Sequence, residues 1–170
     1  MSGVGWGMRR AGLVGCVVGV AALLGGCSGA GGGRDIRDAP SWEEGATVES
    51  VAQTLRVHVP PTATDARAAH QKGFQDDGLI LAFVVPAGEV DGFLGQLRPE
   101  RPLRLREQPW AAEGKPATPF ARLGLPEPES LANVREGQVC APCGDELEWL
   151  KVAVAPVDDR SSRVYLRGAD

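Results

Sequence analysis

Leu79-Ile80-Leu81-Ala82-Phe83-Val84-Val85 is the most apolar run of the chain beyond its first thirty residues, and Pro86 ends it. Its length and its β-branched and aromatic content read as a strand. Successive strand side chains point to opposite faces. Both phases of this run are apolar, so the strand must be covered on both faces, or nearly so. The remaining segments have to supply that cover.

Val90, Phe93, Leu94 and Leu97 follow at i, i+3, i+4 and i+7, which predicts a short helix over 89–97 packed on the sheet. Upstream, two patterns compete. Val48, Val51, Ala52 and Leu55 have helical spacing, while Leu55-Arg56-Val57-His58-Val59 alternates strictly before Pro60-Pro61. The reading preferred here is a strand over 54–59. Residues 63–72 form a weaker, alanine-rich strand, and 73–78 a turn.

Residues 98–128 carry seven of the 13 prolines. Proline removes a backbone donor and fixes φ, so neither a long helix nor a central strand fits there. A long loop is expected, with a short strand at 103–106. Ser130 is placed to cap a helical turn containing Leu131 and Val134. Residues 147–157 and 163–167 flank Asp158-Asp159-Arg160-Ser161-Ser162, the pattern of a C-terminal β-hairpin. The fold class is therefore α+β. It comprises a small antiparallel sheet of four to six strands, one or two short helices and a long proline-rich loop.

The first thirty residues concern location. Arg9 and Arg10 precede a 14-residue apolar stretch, Ala11 to Leu24, and no charge follows until Arg34. A bilayer span needs about 20 apolar residues. A shorter run behind a basic start is the layout of a secretory signal. Met8, directly before the arginines, is a second candidate start. Leu24-Gly25-Gly26-Cys27 closes the run and resembles the lipobox of bacterial lipoproteins. The resemblance covers roughly residues 8–27. It implies cleavage before Cys27 and acylation of its thiol; Cys16 would leave with the signal. The implied organisation is a signal peptide at 1–26, a lipidated flexible tether at 27–46, and one extracytoplasmic α+β domain at 47–170, anchored to the cell membrane. Arginine far outnumbers lysine among the basic residues, 15 against three, in a chain rich in Gly, Ala and Pro. In that style it is similar to the small surface lipoproteins of actinomycetes.

Cleavage at that point takes the formal charge from −4 to −6 by removing Arg9 and Arg10. An acidic domain lacks the electrostatic footprint for nucleic acid. Cys140-Ala141-Pro142-Cys143 resembles the Cys-x-Pro-Cys of thioredoxin-type oxidoreductases, which implies Cys140 as nucleophile and Cys143 as resolving thiol. The same pair also reads as a structural disulfide, or as thiols held by zinc or a partner. Against the redox reading, Asp145 and Glu146 would raise a neighbouring thiol's pKa, and no βαβ pattern surrounds the pair.

His58 and His70 read as surface residues, and nothing in the sequence brings them to the cysteines for a metal site. Asp76-Asp77 and Asp158-Asp159 are neighbours whose side chains diverge. Arg98, Arg101, Arg104 and Arg106 are candidate contacts for anionic headgroups, each cation worth about 1 kcal/mol at such a surface. No catalytic set and no cofactor motif is recognised. The functional expectation is a membrane-anchored lipoprotein that binds or scaffolds an envelope protein or small ligand. The alternative is an anchored thiol–disulfide oxidoreductase.

Overall fold

The computed structural model describes residues 40–110 and 115–170. The expected signal peptide, Cys27 and the tether as far as residue 39 lie outside the described residues. In chain order the elements are β1 (Ser41–Trp42), α1 (Val48–Thr54), β2 (Thr64–Lys72), β3 (Gly78–Pro86), α2 (Val90–Leu97), β4 (Arg104–Arg106), β5 (Val134–Cys140), β6 (Trp149–Pro156) and β7 (Ser161–Ala169). The strands form one seven-stranded sheet in the order β1-β2-β3-β7-β6-β5-β4. Every pairing is antiparallel. The α+β class holds, with more strands than the four to six expected.

The apolar run sits inside the sheet as β3, and its alternation sorts the two faces. Leu79, Leu81, Phe83 and Val85 join α1 and α2 in one core with Leu150, Val152 and Leu166. Phe83 meets Phe93 of α2 edge to face, with ring centroids 5.2 Å apart. Ile80 and Ala82 face the other way, into a second core with Phe120, Leu125, Val134 and Tyr165. The proline-rich loop supplies this second layer through two short 3-10 turns, Phe120–Leu123 and Pro128–Ser130. Phe120 and Tyr165 pack edge to face at 5.0 Å. Both faces of β3 are covered.

Three local expectations are corrected. The strand expected at 54–59 is absent: α1 occupies Val48–Thr54. Thr47 caps it by accepting from the Ser50 amide at 3.0 Å, and Ser50 Oγ accepts from the Thr47 amide at 3.0 Å. Arg56 then turns the chain at φ +56°. Leu55 and Val57 are both buried, which accounts for the misleading alternation. The helical turn expected after Ser130 is likewise absent. Its Val134 is buried at the start of β5, between β4 and β6. Finally, strand structure lies ahead of Thr47: Ser41 pairs with Lys72 and Trp42 with Gln71, and Trp42 packs on the second core. The terminal hairpin is present as expected, with Val157 donating to the Ser161 carbonyl at 3.0 Å.

Candidate functional site

The second sheet face carries a cleft of about 300 Å³ over β5, β6 and β7. Register builds it. Gln138, Lys151 and Arg167 form one cross-strand row, and Glu136, Ala153 and Tyr165 the next. Ala153 is the small residue between larger neighbours, which leaves room above it. Trp110, Phe120 and Pro128 close the other walls. Arg167 bonds Glu127 at 2.8 Å and Glu129 at 3.3 Å. Glu129 Oε2 and Arg167 Nε are enclosed without a hydrogen-bond partner among the described residues. Burial pushes the Tyr165 phenol above its ordinary pKa, opposed by Arg163 and reinforced by Glu127.

A second cluster lies where the end of β2, the start of β3 and the end of β7 meet. His70 of β2 is mostly enclosed, with 19 % of its side chain exposed. Its Nδ1 meets Glu43 Oε2 at 2.5 Å, and its Nε2 meets Asp77 Oδ2 at 2.9 Å. Asp77 Oδ1 accepts from the Gly73 amide at 3.0 Å. Asp77 and Asp170 exchange backbone hydrogen bonds at 3.0 and 3.2 Å, which sets their side chains together. One ligand atom from each of His70, Asp77 and Asp170 falls within 4.8 Å of the others. Burial, then repulsion from Asp77, pushes the Asp170 carboxyl above the ordinary carboxylate range. Hydrogen bonds from Lys72 and His70 pull Glu43 below it.

The residues singled out by sequence are scattered. The Cys140 and Cys143 sulfurs sit at disulfide distance at the end of β5, and the Cys143 amide donates to the Leu147 and Glu148 carbonyls. No helix follows the pair: Gly144 and Asp145 both turn at positive φ. The helix end that would stabilise a Cys140 thiolate is therefore missing. Arg98, Arg101 and Arg104 are exposed. Arg106 is not: it bonds Glu136 at 3.0 Å and the Pro128 and Leu131 carbonyls, tying the loop to the sheet. His58 is exposed, whereas His70 is clasped by acids instead of lying free at the surface.

Neither the cleft nor the His70 cluster emerged from sequence reasoning. Strand alternation carried a weak signal for the first, through Tyr165 and Arg167 in one phase. The second joins residues up to 127 positions apart, and no local pattern reports it. Among the described residues, no helix is long and apolar enough to cross a membrane. No family model, curated protein or solved structure gives a significant match to the chain.

Proposed function

We propose that the chain is a lipid-anchored binding module on the extracytoplasmic face of the cell membrane, without catalysis. The observation that carries this reading is Leu24-Gly25-Gly26-Cys27, set at the end of an uncharged apolar run behind Arg9-Arg10. Two acyl chains on one cysteine give firm anchoring, because each buried methylene contributes about 0.8 kcal/mol. A cysteine pair at disulfide distance is in keeping with an oxidising compartment.

The cleft supports the binding half of the reading. It combines aromatic walls, Trp110 and Phe120, with converging polar groups from Glu129, Gln138 and Arg167. Small-molecule sites have that make-up. The occupant in this reading is a small ligand, or a side chain of an envelope partner, that pairs with Glu129 and Arg167.

Radiolabelled palmitate decides the anchor. The wild-type chain is expected to take up label and sediment with membranes, and Cys27→Ala to do neither. A cytosolic, unlabelled wild-type chain with its leader intact would overturn the proposal.

A further inference from the structure

We propose that His70, Asp77 and Asp170 bind a divalent transition-metal ion of the zinc class, with Glu43 orienting the imidazole from behind. This goes beyond the anchored-module reading and does not depend on it.

The geometry of the imidazole comes first. Both ring nitrogens face carboxylates, Nδ1 toward Glu43 at 2.5 Å and Nε2 toward Asp77 at 2.9 Å. A neutral imidazole has one N–H. An imidazolium would donate to both Glu43 and Asp77. In the neutral ring, with the one N–H donated to Glu43, the Nε2 lone pair faces a carboxylate and a cation belongs between them. A proton on Nε2 would satisfy Asp77 alone. It would leave Asp170 Oδ1, which is enclosed and has no hydrogen-bond partner among the described residues, unmatched. A metal ion serves all three groups at once. Its two positive charges match the two aspartates, and a metal-bound histidine that donates its other N–H to a carboxylate is the usual outer arrangement.

Distances agree. Ligand atoms about 2.0–2.1 Å from a tetrahedral zinc ion lie about 3.4 Å from one another. The three atoms here already fall within 4.8 Å, with Nε2 and Asp77 Oδ2 at 2.9 Å, so small side-chain movements close the site. The backbone is already set: Asp77 and Asp170 are locked by mutual amide–carbonyl bonds. The donor set selects the metal. Calcium takes six to eight oxygens, whereas one imidazole with two carboxylates suits zinc and its neighbours. Three protein ligands leave one position open. Asp77 also lines a neighbouring cleft of about 440 Å³, together with Phe74 and Trp149.

The test uses the full chain, stripped with chelator and kept with its Cys140–Cys143 pair oxidised, and titrated with Zn²⁺ alone. Equilibrium dialysis is expected to give one ion per chain. Zn²⁺ should shift the His70 Nε2 resonance far more than Nδ1 in long-range ¹H–¹⁵N spectra. His70→Gln, Asp77→Asn and the isosteric Asp170→Asn should each weaken binding at least tenfold. Glu43→Gln should weaken it by about tenfold to a hundredfold, and His58→Gln should leave it unchanged. Circular dichroism without metal verifies that each variant is folded. Three outcomes would overturn the proposal: no saturable Zn²⁺ binding at millimolar metal, Zn²⁺ binding that survives folded Asp170→Asn undiminished, or tighter binding of Ca²⁺ than of Zn²⁺.

Discussion

At the scale of single residues, two positions isolate one physical effect each. Gly168 lies in β7, and a Cβ there would meet Leu55 Cδ2 at 2.7 Å and the Trp149 carbonyl oxygen at 3.0 Å. The carbonyl belongs to a laddered strand and cannot withdraw, so Leu55 must move out of the core. Gly168→Ala should therefore destabilise the fold by about 1–3 kcal/mol, the usual range for overpacking, read as a lower urea midpoint. Asp65 isolates a charge. Its carboxyl is held below the ordinary range first by the Arg67 guanidinium and then by Arg163, against a burial penalty. Because the folded value is depressed, the ion pairs contribute stability above the unfolded carboxylate's pKa, and that contribution fades as pH falls through the folded value. Asp65→Asn, which tolerates the local φ of +46°, should lower Tm at neutral pH. The difference from wild type should shrink toward zero in acid. A gap that persists unchanged in acid would locate the effect in packing and not in charge.

At the scale of elements, legibility followed how local the deciding interaction is. The apolar run of β3, the i, i+3, i+4 spacing of α2 and the turn residues between β6 and β7 each state their outcome within a dozen residues, and all three formed as expected. In α1 a local signal was present but competed with another. Thr47 and Ser50 make the cap, yet Leu55 and Val57 mimic a strand because the chain leaving the helix keeps both buried. Thr47→Ala should cost about 1 kcal/mol of stability by removing that cap, with the loss of helical signal confined to 48–54 in hydrogen exchange. β5 was illegible for a different reason. Only Val134 and Val139 are buried in it, and its middle residues are polar because they line the cleft and the sheet margin. The Cys140–Cys143 pair belongs at this scale too. It closes a ring of four residues, and such a loop contributes about 2 kcal/mol or less through the unfolded chain. Replacing both cysteines by serine should lower stability by no more than that and leave the sheet intact. If the pair served redox chemistry instead, Cys140→Ser alone would abolish disulfide reduction in an insulin turbidity assay.

For the whole molecule, the informative feature is where the sheet stops. Its margins are β1, two residues long, and β4, three residues long. Very short margin strands are poor templates for another chain, and β1 pairs only Gln71 and Lys72 of β2. β1 does more than blunt an edge: it brings Trp42 against the second core and sets Glu43 beside His70. A domain boundary at Thr47, which composition alone suggests, therefore cuts through the structure. A chain beginning at Pro40 and one beginning at Thr47 should differ in three ways. The shorter one loses a half-buried indole, worth about 1–2 kcal/mol of apolar burial, and melts earlier. It frees the His70–Lys72 backbone that β1 and Glu43 otherwise pair, which lengthens the open edge of β2, so it should show concentration-dependent self-association by sedimentation. It also loses the Glu43 partner of His70, so its imidazole should become more mobile by NMR. Equal melting temperatures and monomeric behaviour in both chains would mean that β1 contributes nothing to holding the sheet together. The hydrogen-bonded register of Ser41 and Trp42 along β2 argues for the opposite result.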